Sequence, residues 1–330
     1  MKAVLPFIVV VALVLLVFAC VSVAHGPRYL FGIIIPYAAV AVFVLGFIRR
    51  VVQWGKSPVP FCIPTTCGQQ KTLPWIRHDR LENPATAMQV VGRMLLEVLV
   101  FRSLFRNLSA KMTDNGVIYK WEKLLWLAGL AFHWSFLFIF VRHYRFFVQD
   151  VPSAIRMMEG SDSYFQVGAP LFYVTDAVIL CALTFLLFRR FYLPQVRYIS
   201  LIADYFPLYL ILGIVISGIL MRHVFKVHVI GVKMLAMGLV TFSPTIPEGI
   251  GAIFYVHLFL ICVLLMYFPF SKLMHMGGVF MSPTRNMANN SRMVRHINPW
   301  NYPVRLHTYE EYEDDFREKM KKAGLPVEKE

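Results

Sequence analysis

Charge is thin in these 330 residues: 16% are Asp, Glu, Lys or Arg, and acids are the scarcer sign, 19 against 33 bases. Cysteine is scarce too, at five residues. Cys20, Cys181 and Cys262 fall inside apolar runs and read as small buried hydrophobes, so no disulfide framework is indicated. Cys62 and Cys67 lie close together, but a metal or cluster site needs about four ligands, and two thiols fall short. They read as free thiols. No internal repeat or low-complexity tract is present, and the paired Gly/Pro-broken spans of many transporters are missing. What abounds is apolar: 58% of residues are hydrophobic and the mean hydropathy is +0.59. Ordinary soluble domains do not reach that. A net charge of +14 would suit nucleic acid, but the bases flank apolar spans, so membrane lipid and not nucleic acid is the expected surround.

The pattern predicts an all-α membrane protein, six transmembrane helices in a bundle with an interfacial amphipathic helix and a cytoplasmic C-terminal tail. The spans are Val4–Ala24, Leu30–Ile48, Leu124–Phe147, Pro170–Phe188, about Tyr205–Met221 and Ile250–His275. Ser22 and Ala24 give the first span a signal-peptide-like end, but its length and the second span close behind make it a retained helix. Four regions follow: two N-terminal spans (1–48), a basic loop (49–123), a four-helix core (124–276) and a tail for partner docking (277–330). Within the loop, Asn83-Pro84 opens a helix to about Arg106 in a cap-then-Pro arrangement. Arg93, Glu97, Arg102 and Arg106 make spanning expensive and lay that helix in the interface. Arg222–Gly249 is expected to run along the surface, and the tail to end in a helix with acids first. With the N-terminus inside, 26 bases lie on the inner side and seven on the outer, which puts both termini in the cytoplasm.

The chemistry rests on histidines. His133 and His143 lie ten apart in the third span; His257 and His275 lie eighteen apart in the sixth. In a straight helix, eighteen residues put His257 and His275 on one face about 27 Å apart, while ten leave a turn of about 80° and a rise of about 15 Å. Two histidines on each of two antiparallel spans can hold two haems at different depths. The pairings are His143 with His257 outside, and His133 with His275 inside. The spacings differ by about 12 Å of rise, and Pro269 is placed to kink the last turn and close that gap. A haem-free proton or metal transporter using these histidines and Asp176 is the rival, and a passive anchor a third reading. Arg142 and Arg145 flank the outer pair and Lys272 the inner, as partners for haem propionates or as snorkelling span ends. Asp176, about 9 Å into the fourth span, would accept a proton from a quinol, orient a histidine or pair an arginine. His25 and His223 at span ends are rival outer ligands. His78, His228, His296 and His307 sit in polar segments.

The ten-and-eighteen spacing resembles the cytochrome b (gamma) subunit of respiratory nitrate reductases. KSPVPFCIPTTCGQQKTLPWIRH (56–78), FHWSFLFIFVRH (132–143), ADYFPL (203–208), SKLMHMGGVFMSPTRNMANNSR (271–292) and NPWNYPV (298–304) are more closely similar to one branch of that superfamily, the DsrM family. These are the membrane cytochrome b subunits of DsrMKJOP complexes in sulfate- and sulfur-metabolising prokaryotes. The resemblance implies two haem b held by His133, His143, His257 and His275, and menaquinone exchange near the outer haem. It also implies a cytoplasmic iron–sulfur partner similar to DsrK, itself like the catalytic subunit of heterodisulfide reductases, and further DsrJ-, DsrO- and DsrP-like subunits. The chain departs from the nitrate reductase subunit in its extra first span, long basic loop and long tail, so quinone-site residues are not carried over.

Overall fold

The computed structural model describes residues 2–23, 26–57, 68–163, 172–294 and 305–329. Apolar residues on every side of a helix demand burial on every side, in protein or in lipid. That is the state of α1 (Val4–Val23), which turns Val10, Val17 and Val21 into the bundle. α2 (Gly26–Tyr29), a π-turn (Leu30–Ile34) and α3 (Ile35–Gly55) join as one rod. Pro36, which has no N–H to donate, sits at the start of α3 just after the wide turn.

The basic loop then builds a lobe of its own. α4 (Ala87–Val100) is capped by Thr86, whose side chain accepts from the Gln89 N–H, so the helix starts later than the Asn83-Pro84 pair predicts. Asn83 is instead buried, its Nδ2 donating to the Gly68 carbonyl at 2.8 Å and its Oδ1 accepting from Asn289 at 3.0 Å. After Phe101 come the short α5 (Arg102–Phe105) and an antiparallel hairpin, β1 (Leu108–Thr113) and β2 (Gly116–Trp121). The hairpin corrects the all-α expectation. Its two-residue link, Asp114-Asn115, is turn chemistry, and Gly116 takes φ +117°.

α6 (Lys123–His143) is the third span of the sequence reading, followed by α7 (Ser153–Asp162), α8 (Val174–Tyr192) and α9 (Pro194–Ile199). α10 (Ile202–His223) carries Pro207 in its first turns. α11 (Val229–Val240) turns Gly231 and Leu235 into the bundle and leaves Val229, Ile230, Met234 and Val240 exposed. α12 (Ala252–Tyr267) is the centre of the bundle, packed on α1, α3 and α10. Its core partners are Val17, Phe31 and Leu210 around Tyr255 and Leu260. A smaller cluster, Ile179, Leu183 and Ile211, ties α8 to α10, and α8 in turn carries α6.

Among the described residues, five helices are long and apolar enough to cross a membrane: Val4–Val23, Gly26–Gly55, Lys123–Phe146, Ile202–His223 and Ala252–Phe270. The protein is a multi-pass membrane protein. α8 matches the expected fourth span in place, but Asp176, Arg189 and Arg190 lie within it. The expected sixth span, Ile250–His275, is not one straight helix. It stops at Tyr267, passes through a 3-10 turn holding Pro269, opens at Ser271 (φ −117°, ψ 177°), and re-forms in a second 3-10 turn and α13 (His275–Gly278). The tail ends in α14 (Tyr309–Lys322), opened by a capping box of Thr308 and Glu311.

Candidate functional site

The break at Pro269 decides where His275 goes. An unbroken helix would carry it about 27 Å from His257 along one line; the turn instead delivers its ring to α6, 6.0 Å from the ring of His133, the planes 85° apart. Gly46 of α3 makes room for the turn, since a Cβ there would stand 2.8 Å from Cβ of Pro269. Toward the other end of α6, the rings of His143 and His257 lie 6.5 Å apart with planes at 21°. The structure therefore brings together the two pairs expected from the sequence.

Each ring is oriented through Nδ1. His133 bonds the Gly129 carbonyl at 2.7 Å, His143 the Ile139 carbonyl at 2.6 Å, and His275 the Lys272 carbonyl at 2.9 Å. A carbonyl only accepts, so Nδ1 carries the proton in all three and Nε2 keeps its lone pair. His257 Nδ1 meets Ser217 Oγ at 2.9 Å, and Ser217 spends its one hydrogen on the Ile214 carbonyl at 3.0 Å. The hydroxyl can then only accept from the ring, and the tautomer is the same. Gly218 lets this ring lie close against α10, where a Cβ would stand 3.3 Å from Cε1 of His257.

With Nδ1 taken up in each ring, Nε2 is the nitrogen left to bind a metal. At a metal–nitrogen distance of about 2.0 Å, one nitrogen from each ring needs ring centroids roughly 6 Å apart. Both pairs have that spacing. No group of three or more His, Cys, Asp or Glu that could hold a metal ion exists among the described residues. Two protein ligands are too few for a zinc-type site but are the full complement for a haem iron, whose other four donors come from the macrocycle. α6 meets α12 through His143 and His257, and meets the start of α13 through His133 and His275. The donor set and the spacing fit haem.

The cations expected to meet propionates are engaged otherwise. Arg142, buried, donates to Asp162 at 2.7 Å and to Asp176 at 2.8 Å, and its guanidinium lies 3.6 Å over the Tyr173 ring. Asp162 also accepts the backbone N–H and hydroxyl of Thr175. Both Arg142 and Asp176 are thus in a structural network, the arginine-pairing alternative for Asp176. Arg145 pairs with Glu159 and Lys272 with Asp204, so a propionate would have to compete with a carboxylate at each. His223 stands against Phe172, and His25 and His296, like Cys62 and Cys67, lie outside the described residues.

Ser217, Asp162 and Phe101 were not legible as site residues. A serine in an apolar helix and an aspartate in a polar segment carry no periodic signal, and their partners are 40 and 20 residues away. Phe101 packs on His133 with ring centroids 4.9 Å apart.

Residues 90–296 match the family model described as the nitrate reductase gamma subunit. A protein of Archaeoglobus fulgidus described as "Hdr-like menaquinol oxidoreductase cytochrome b-like subunit" is 46% identical over 278 residues, covering 82% of this chain and 83% of its own. One of the same description from Archaeoglobus profundus is 40% identical over 275 residues, 81% of each chain. The matched region contains all four paired histidines, and the chain belongs to the nitrate reductase gamma subunit family.

Proposed function

We propose that this chain is the dihaem b membrane subunit of a respiratory complex that oxidises menaquinol near the outer face and delivers the electrons to a cytoplasmic iron–sulfur subunit of heterodisulfide-reductase type. The observation that carries this reading is the two histidine pairs, with ring centroids 6.0 and 6.5 Å apart and each ring tied down through Nδ1. Bound haem supplies a one-electron carrier at each level. His143 and His257 hold the outer iron, His133 and His275 the inner. Arg142, with Asp162 and Asp176, braces the end of α6 next to His143. Lys272 and Arg145 keep exposed donors beyond their single carboxylates and are the candidates for propionates.

The relatives' description as a menaquinol oxidoreductase subunit supports the substrate and the assembly. The similarity to DsrM supports a place in dissimilatory sulfur metabolism, with DsrK-, DsrJ-, DsrO- and DsrP-like partners. α8, fourth in chain order, is counted as a crossing in this reading and brings the five to six. Its charges sit at its two ends, Asp176 bonded to Arg142, Arg189 to Glu122 and Arg190 to Ser200. Both termini then lie in the cytoplasm of an inner membrane. Stopped-flow mixing of the purified chain with a menaquinol analogue tests the reading: haem absorbance is expected to shift to the reduced form. A chain that holds haem but is never reduced by the quinol would sink the menaquinol assignment.

A further inference from the structure

The last carbonyls of a helix have no partner within it. In α4 the chain leaves through Phe101 at φ 52° and ψ 49°, a left-handed conformation that glycine takes freely and phenylalanine does not. Two indoles of α6 take up the open carbonyls: Trp126 Nε1 donates to Val100 O at 2.7 Å, and Trp134 Nε1 to Leu99 O at 3.0 Å. Past the bend, Leu104 packs on Gly129, where a Cβ would stand 3.4 Å from Cδ2. Residues 126 to 134 of α6 span about 12 Å, so the elbow lies along that helix up to the level of His133. There the Phe101 ring meets the imidazole edge-on, centroids 4.9 Å and planes 86° apart, while Phe132 meets it from its own helix at 4.9 Å and 77°. A backbone that favours glycine has been given a bulky ring that touches His133 from outside α6.

Resting on the two-haem reading above, we propose that Phe101 is a positioning residue for the inner site: it holds the His133 ring nearly perpendicular to that of His275. Ring orientation has its own spectroscopic signature. In ferric haem with two axial imidazoles, near-parallel ring planes give a rhombic low-spin EPR signal, and near-perpendicular planes give a strongly anisotropic one. The 21° of the outer pair belongs to the first kind and the 85° of the inner pair to the second.

The test is EPR of the oxidised full-length protein in detergent, with haem per polypeptide counted on the same samples. The expected wild-type spectrum holds one signal of each kind. Phe101→Ala and Phe101→Gly should both lose the strongly anisotropic signal to a more rhombic one and leave the other unchanged, and Phe101→Tyr should keep both. Phe101→Leu fills the elbow without ring edges and should behave as Phe101→Ala should the latter fold poorly. An anisotropic signal intact in Phe101→Ala, or lost there but kept in Phe101→Gly, overturns the proposal, the second result assigning the effect to the backbone. A wild-type protein with two haems and unchanged variants defeats only the role of Phe101; a wild-type protein without haem defeats the reading beneath it.

Discussion

An imidazole can ligate through one nitrogen only when the other is disposed of, and Ser217 does this for His257 at the cost of a single hydroxyl. Ser217→Ala leaves the ring without its acceptor, and the expected loss is about 10–100-fold in haem affinity at the outer site, read by haem titration into the stripped protein. Ser217→Thr should keep most of the affinity. The histidines were legible because an ionisable group in an apolar span is rare and needs a reason. Ser217 was not, because serine is ordinary there and only the packing of α10 on α12 gives it a partner. The lobe of the basic loop has a residue-scale lock of its own. Asp79 accepts the N–H groups of Glu82 and Leu81, each at 3.0 Å, and the Glu82 bond foremost holds its carboxyl below the ordinary 3.8. A carboxyl lowered on folding stabilises the fold fully above its unfolded value and loses that contribution as pH falls through the lower folded one. Asp79→Asn is therefore expected to weaken the lobe at neutral pH, with the difference from wild type closing below pH 3.8, measured by protease sensitivity of the 68–106 segment against pH.

Among the elements, the turn at Pro269 matters most. A period of eighteen in an apolar helix reads as one face, and sequence alone yields the proline but not the size or direction of the bend. The bend is set by α3, through Gly46. Gly46→Val forces α3 and the turn apart and should cost about 1–3 kcal/mol as an overpacking strain. Its expected signature is loss of the inner haem with the outer retained, read by redox titration of the membrane-extracted protein; loss of the outer haem alone would contradict the geometry. The hairpin was missed for a different reason. Its alternation is short, lies between charged residues, and Val117, Ile118, Tyr119 and Trp121 are all exposed, so no buried face imposed a period on the sequence. The start of α4 was misplaced because Asn83 has the chemistry of a cap but uses it on Asn289 and Gly68, contacts far along the chain.

Across the whole molecule, the sequence predicts six crossings and a strong inside bias of basic residues, while Asp176 and Arg189 of α8 are paired only once the fold brings Arg142 and Glu122 to it. The topology has a direct test. Lys321→Cys is expected to react with an impermeant maleimide only from the cytoplasmic side, and Lys226→Cys only from the opposite one. The lobe of the basic loop reaches both His133 and His275: α4 is bound to the segment after His275 through Arg93 to the Thr284 carbonyl at 2.6 Å and through Glu97 to Arg285, and its elbow ends on His133. The central claim, however, is that imidazoles of α6 pair with one on α12 and one just beyond it to hold two irons. Haem counted per polypeptide by the pyridine haemochromogen method, in the wild type and in alanine variants of His133, His143, His257 and His275, tests it most directly. The expected counts are two in the wild type and one in each variant, with His143→Ala and His257→Ala sparing the same haem and His133→Ala and His275→Ala the other. No haem in the wild type, or different haems lost from His143→Ala and His257→Ala, would contradict it.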